Sequence, residues 1–390
     1  MNETPLQLLS VSFFTEVYTP IINGVVASID GLRAGLRDAG VNVTVVAPHF
    51  PHARTDDRSV IRLPSLPLPT QTGYRLCVPY LSHAARERIA RTNIVHVHSP
   101  FVSGRLGSNI ARRSGVPLVF TYHTRIDEYA HYVPFESRLT RSALIALTRA
   151  FANRADTVIA PSAAMRERLR EIGVRVPIAI VPSSIDVAAY VRGERTTAAR
   201  ALLGARNDSR IALTVARIAK EKQLELAIDA LARTRDLHLA IVGDGPHRNA
   251  LVELARARGV SERVTFTGML DPRVLPDLYA SSDAFVFPSA SETQGLVLAE
   301  ALAARLPVVA VDTAVNREML GGFGRLVAAE PQALAEALTL AVAAPRDPAA
   351  AQDASDRFGR ARQTAAVLNV YRAISVCRTF GTPVRDHAPG

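Results

Sequence analysis

The chain has 390 residues, 48% hydrophobic and 21% charged, with 46 basic against 36 acidic side chains and a net charge of +10. That length exceeds one ordinary core and suffices for two, and the composition excludes disordered and collagen-like chains. Cys77 and Cys377 stand alone and far apart, which excludes a disulfide framework and a thiolate metal site and fits a reducing cytoplasm. The positive excess favours anionic partners (phosphorylated substrates, acidic lipid headgroups, nucleic acid), or is only a solvated arginine-rich surface.

Met1-Asn-Glu-Thr-Pro carries no basic n-region, so no signal peptide is expected. Glu300 and Arg305 interrupt the most apolar stretch, leaving no run of membrane-spanning length. Short apolar runs that end in Gly, Pro, Ser or His alternate with longer stretches of helical period, the mark of parallel α/β units. The spacing predicts strands at 6–13, 41–47, 94–98, 118–122, 157–160 and 178–181, with a helix at 25–39. The pattern restarts with strands at 211–216, 237–242, 264–267, 284–288 and 308–311. A polar, arginine-rich connection at 186–210, a Pro/Ala/Asp linker at 345–354 and a last helix at 358–380 complete the reading. It gives two doubly wound domains, 1–187 and 188–357, with a final helix beyond them.

Only two lysines occur, Lys220 and Lys222, directly after the expected strand 211–216. Arg217 and Lys222 fall at the carboxyl edge of the second sheet, where open α/β sheets bind ligands. They could hold a diphosphate leaving group and stabilise its developing charge; a solvated basic turn paired with Glu221 reads the same way. Glu292 and Glu300 flank Gly295. Glu300 lies among Leu, Val and Ala, so its carboxylate needs donors, from ribose hydroxyls or from an arginine. The amides of Gly295, Leu296 and Val297 open the helix around it and could face a phosphate.

The turn Gly243-Asp244-Gly245 and the turn Asn23-Gly24 each fit a close approach to a nucleotide or an ordinary helix start. His96 and His98 share a strand face without a carboxylate or cysteine partner at a ligand spacing, so packing is the better reading. No Asp-x-Asp stands at the end of a second-domain strand, so no metal is expected. Tyr122, His123, Arg125, Asp127, Tyr129 and His131 form a loop dense in aromatic and titratable groups, as a substrate-facing loop would be.

Gly24, His123, Arg217, Lys222 and Glu292-x7-Glu300, in this order and spacing, resemble the retaining glycosyltransferases of the GT-B fold that carry the E-x7-E motif. The resemblance runs from residue 8 to about 375. The phrases Ser99-Pro-Phe101, Tyr122-His123-Thr124, Tyr129-x-His131-Tyr132-x-Pro134 and Thr293-Gln-Gly295-Leu-Val are similar to the bacterial diacylglycerol glucosyltransferases. The resemblance implies two Rossmann-like domains facing a central cleft, with a final helix returning to the first. It implies that Glu300 binds ribose, Glu292 the hexose hydroxyls, and Arg217 and Lys222 the diphosphate. Leu296 and Val297 would assist through their amides, Gly24 would pass close to the phosphates, and His123 would lie beside the anomeric carbon.

The expected reaction moves a hexose, glucose from UDP-glucose, to a hydroxyl acceptor such as diacylglycerol, without metal or cofactor. GDP-mannose as donor, a soluble acceptor, a nucleotide-sugar epimerase and a non-catalytic nucleotide-sugar-binding partner are the alternatives. A nicotinamide oxidoreductase is disfavoured, because no complete G-x-G-x-x-G follows the first strand. A helix following the aromatic loop carries Leu139, Ala143, Leu144, Leu147 and Phe151 on one face with Arg138, Arg141 and Arg149 around it. It is either a core-facing helix or a rest on the inner face of an anionic membrane. The chain departs from the family pattern at Arg305, where a glycine is usual, at Asp312-Thr-Ala-Val-Asn316 and at Pro182-Ser183-Ser184.

Overall fold

The computed structural model describes residues 9–51, 57–68, 75–125, 138–205 and 209–380. The chain forms two compact units, one running up to Ser184 and resuming at Arg360, the other spanning Ile185–Gly359. The sequence placed these divisions at 187/188 and 357/358.

The first unit contains strands β1 (Ser10–Phe14), β2 (Asn42–Pro48), β3 (Val60–Leu63), β4 (Ser65–Pro67), β5 (Arg75–Cys77), β6 (Ile94–Val97), β7 (Leu118–Thr121), β8 (Thr157–Ala160) and β9 (Ile178–Ile180). Seven of them form a parallel sheet in the order β3-β2-β1-β6-β7-β8-β9, while β4 and β5 pair as an antiparallel hairpin. The order reverses between β1 and β6. The helix Gly24–Asp38 opens with Asn23, whose side chain accepts from the Val26 amide, and buries Ile29, Leu32 and Leu36 against the sheet. Each such side chain contributes roughly 1.5–3 kcal/mol when fully buried. The helix Arg360–Phe380 adds Val367, Leu368, Tyr371 and Ile374 to the same core.

The second unit holds β10 (Arg210–Val215), β11 (Leu237–Val242), β12 (Val264–Gly268), β13 (Ala284–Phe287), β14 (Val308–Val311) and β15 (Arg325–Val327), all parallel, in the order β12-β11-β10-β13-β14-β15. Its reversal lies between β10 and β13. The expected linker at 345–354 is largely helix: Asp347 caps and Pro348 opens the helix Pro348–Phe358, the position where a missing N–H costs nothing. The connection at 186–210 likewise contains the short helices Val187–Arg192 and Thr197–Leu202.

The helix Leu296–Ala303 ends in a left-handed turn at Arg305, with φ of 58°. The Arg305 amide bonds the Leu302 carbonyl at 2.9 Å and the Leu306 amide bonds that of Ala301 at 2.9 Å, a Schellman closure that glycine ordinarily fills. A side chain there costs about 1 kcal/mol or somewhat more. Arg305→Gly is therefore expected to raise stability by about 1 kcal/mol in denaturant unfolding. An unchanged or lowered midpoint would show that Arg305 compensates through its own contacts.

Candidate active site

In the second unit the loop after β10 is fastened to the loop after β11. The Ala216 amide bonds the Val242 carbonyl at 3.0 Å and the Ile218 amide that of Asp244 at 2.9 Å. A Cβ on Gly243 would come within 2.0 Å of the Ala216 carbonyl oxygen, and one on Gly245 within 2.2 Å of that of Ile218. This loop-on-loop packing requires both glycines by itself, whether or not the turn also approaches a nucleotide.

That packing holds Arg217 and Lys222 at the carboxyl end of β10. Buried Ile218 and Leu224 anchor the segment on either side of the turn Lys220–Lys222, and Gln223 takes a left-handed φ of 51° before the helix Leu224–Leu231. Arg217 pairs with Glu221. Lys222 Nζ donates to Glu292 Oε1 at 2.6 Å across the β10/β13 reversal, and the Ser289 hydroxyl hydrogen-bonds the same oxygen at 2.9 Å. Both partners are half-buried, so the pair holds two chains of polar atoms in one geometry while staying within reach of solvent. Behind it the fully buried Asn316 donates to the carbonyls of Ser289 at 3.1 Å and Val311 at 2.8 Å, tying the ends of β13 and β14 together.

Gly295 precedes the helix Leu296–Ala303 with φ of 80° and offers no side-chain cap to the helix's opening amides, those of Leu296 and Val297 among them. One turn on, Glu300 Oε2 accepts from the Tyr279 hydroxyl at 2.8 Å, and Tyr190 also bonds this carboxylate. The two tyrosine rings meet edge to face, 5.3 Å apart. Burial raises the Glu300 carboxyl above its ordinary range, and the two hydroxyls partly offset that. The arginine partner weighed from sequence is absent among the described residues; tyrosines supply the donors.

In the first unit, His123 follows β7 and His98 follows β6. His98 Nδ1 and His123 Nε2 lie 2.9 Å apart with the rings stacked at 5.2 Å. His96 stacks on His98 at 4.3 Å and is bonded at both nitrogens, to the Tyr371 hydroxyl at 2.7 Å and the Thr121 hydroxyl at 2.6 Å. Burial pushes His96 down to about 3 and His123 to about 4, and holds His98 well below its usual value. All three are neutral at pH 7.

Tyr122 corrects an expectation. It is 2% exposed and packs edge to face on Phe120, which in turn packs on Phe151, so it belongs to the core and not to a substrate surface. The strand period of two puts Phe120 and Tyr122 on one face and Thr121 and His123 on the other. Arg125 is half-buried in the segment after β7. Asp127, Tyr129 and His131 lie outside the described residues. Gly24 is the exposed first residue of its helix, behind the Asn23 cap, which supports the ordinary helix-start reading. The site residues missed from sequence are Tyr190, Tyr279, Ser289 and Asn316. A buried glutamate asks for donors, but nothing local names which tyrosines provide them. Among the described residues no three His, Cys, Asp or Glu side chains gather as a metal site would require.

Two doubly wound parallel-sheet units, the second with paired cations at its reversal point and a glycine-led helix N-terminus nearby, define the class of GT-B glycosyltransferases. Residues 22–189 match Glycosyltransferase Family 4 and residues 196–358 match Glycosyl transferases group 1. The chain belongs to this glycosyltransferase family. It is 31% identical to the alpha-monoglucosyldiacylglycerol synthase of Streptococcus pneumoniae over 77% of its own length and 71% of the relative's. It is 32% identical to a GDP-mannose-dependent alpha-mannosyltransferase of Mycolicibacterium smegmatis over 80% of its length and 82% of that chain. Its fold matches that of Anabaena HepE, solved with UDP-glucose, at a TM-score of 0.74 and 20% identity, over 93% of this chain and 99% of that one.

Proposed function

We propose that this enzyme transfers glucose from UDP-glucose to a hydroxyl of a membrane lipid such as diacylglycerol, with retention of anomeric configuration and without a metal ion. The observation that carries the reading is the Lys222–Glu292–Ser289 cluster at the β10/β13 reversal. A cation there meets a diphosphate, the carboxylate beside it accepts from hexose hydroxyls, and the amides of Leu296 and Val297 add the partial positive charge of a helix start. Glu300, held on two tyrosine hydroxyls, has acceptor lone pairs left for ribose, since a carboxylate offers about four acceptor sites. Arg217 and Lys222 do the work that a divalent ion does elsewhere, so activity is expected to survive excess EDTA; full loss restored by magnesium or manganese would overturn that claim.

The likeness to a glucosyldiacylglycerol synthase supports glucose and a lipid, and the likeness to mannosyltransferases favours GDP-mannose as the second reading. A donor panel read by thermal shift, then by turnover on diacylglycerol vesicles and on soluble acceptors, separates them. Release of an altered nucleotide sugar without any acceptor would instead mark an epimerase.

Among the described residues no helix is long and apolar enough to cross a membrane. The helix Arg138–Ala152 has two ends of different character. Phe151 and Ala152 are buried, whereas Leu139 is 82% exposed and Arg141 and Ala143 are exposed beside it. This end is the part that would rest on anionic lipid from the cytoplasmic side, each arginine adding roughly 1 kcal/mol of attraction. The protein is expected to co-sediment with anionic but not neutral vesicles, to be released by salt, and to bind less after Arg138/Arg141/Arg149→Glu. No sedimentation at low salt, with efficient turnover on a water-soluble acceptor, would reject the lipid assignment and leave glycosyl transfer standing.

A further inference from the structure

We propose that the amino edge of the second sheet carries a further anion site, built from Arg195, Arg210 and Arg305, for a phosphate-bearing ligand other than the sugar donor. The site is anchored on Asp283, the residue before β13. The Asp283 amide bonds the Ile211 carbonyl at 2.9 Å and its Oδ2 accepts from the Ile211 amide at 2.9 Å, so the carboxylate is pinned between the starts of β10 and β13. Three guanidiniums converge on it. Arg195 and Arg210 share Oδ1 at 3.3 and 3.4 Å, and Arg200 lies 4.0 Å from Oδ2. One carboxylate leaves two of these charges uncompensated. Among the described residues Glu194, Asp277 and Asp347 flank the cluster; the latter two accept backbone amides, and none of the three pairs with its arginines.

Two of the neighbouring cations are locked into the fold. Arg200 donates to the carbonyls of Ser281 at 3.2 Å and Ser209 at 2.8 Å, and Arg346 to those of Ala304 at 2.8 Å, Ala280 at 2.8 Å and Ser282 at 2.7 Å, the last next to Asp283. Burial first, then the charges of Arg195 and Arg305, lower the Arg346 pKa against the pull of Asp283, which puts these side chains in one electrostatic neighbourhood. The remaining three are available to a ligand. The Arg195 and Arg210 side chains are 49% and 60% exposed, and Arg305 reaches the Val191 carbonyl only at 3.4 Å. A guanidinium has five N–H donors, so one long bond leaves most of each fork for a phosphate oxyanion. Arg305 is moreover kept at φ of 58°, where glycine is usual, so this cation is retained at a conformational cost. The six residues of β10, roughly 17 Å at about 3.3 Å per residue, separate this edge from Arg217 and Lys222. A single phosphate group cannot touch both sites.

The test adds inorganic phosphate to the full chain, exchanged against chloride at fixed ionic strength, and reads calorimetry and the unfolding midpoint. Saturable binding and a raised midpoint are expected in the wild type and in Lys222→Ala alike. Arg195→Gln/Arg210→Gln should weaken the affinity about tenfold or more, the equivalent of at least one charge-assisted hydrogen bond. Its fold is expected to persist, because both side chains are exposed and Asp283 keeps Arg200 and the Ile211 amide. Arg305→Gly should weaken phosphate binding several-fold while its midpoint without phosphate does not fall. Arg256→Gln/Arg273→Gln removes the same charge from exposed arginines of the same unit and should leave the affinity unchanged. No saturable binding, binding abolished in Lys222→Ala, or an equal effect of the two double variants would overturn the proposal. Phosphatidic acid vesicles tell the two sources apart: vesicle binding lost together with phosphate binding in Arg195→Gln/Arg210→Gln marks a lipid headgroup, and loss of phosphate binding alone marks a soluble ester, each supporting the site. No turnover enters these readouts, so a chain that transfers no sugar would sink the function proposed above and leave this site standing.

Discussion

Lys222→Ala is expected to lower turnover on the order of 100- to 1000-fold, the usual cost of removing one group that stabilises charge developing in the transition state. Its side chain lies 2.6 Å from Glu292 at the β10/β13 reversal, and nothing else in the chain supplies an ammonium there except Lys220. The loss should fall on kcat more than on donor KM, because the leaving diphosphate carries more charge in the transition state than in the bound donor. Stability should change by only about 1–2 kcal/mol, since Glu292 keeps the Ser289 hydroxyl and stays in reach of solvent. Arg217→Ala is expected to lower turnover in the same way, with a larger stability cost because it takes the guanidinium away from the largely buried Glu221 carboxylate. Single-turnover kinetics and denaturant unfolding on the purified variants separate the two quantities. Wild-type turnover in folded Lys222→Ala would end the phosphate assignment.

Glu300→Gln is expected to weaken donor binding by roughly 10- to 100-fold in calorimetry, because hydrogen bonds to a charged acceptor contribute about 1.5–3 kcal/mol. The amide keeps the shape and one acceptor oxygen for Tyr279, so the fold is expected to persist. Tyr279→Phe should weaken binding less, since it orients the carboxylate without replacing it. The pH dependence has a definite sign. Burial raises the carboxyl above its unfolded value, so ionisation costs folding stability: the cost is absent below the unfolded range and complete above the raised folded value. Donor affinity runs the other way, highest where Glu300 is ionised and falling as acid protonates it. In Glu300→Gln this acid limb should disappear. Unchanged affinity and an unchanged acid limb would leave Glu300 a structural group clamped by tyrosines.

Much of the architecture could be read from local pattern. The runs that form β2, β6 to β8, β10, β11, β13 and β14 are four to seven mostly apolar residues bounded by turn residues, and each became a largely buried parallel strand; β12, at the sheet edge, was also legible but is only half-buried. The pattern failed at β3 and β15, which lie at sheet edges with a half-buried or exposed arginine in each, and at the short hairpin of β4 and β5. There too few residues face a core for periodicity to register. The helix Pro348–Phe358 was missed although an Asp cap and a first-turn proline announce it, because alanine and aspartate between prolines also read as linker. Tyr122 was misplaced because a titratable loop and a buried strand end share the same letters.

The sequence by itself determined two α/β units, the cations after β10 and a costly glutamate in an apolar helix, since these depend on residue type and on spacing within one element. Only the tertiary structure decided the partners: Lys222 with Glu292, Glu300 with Tyr279 and Tyr190, His98 with His123. Residues far apart in sequence meet there because strand order reverses between β10 and β13 and runs from β6 to β7. That order is set by which buried faces pack together across the whole sheet, and no local period records it.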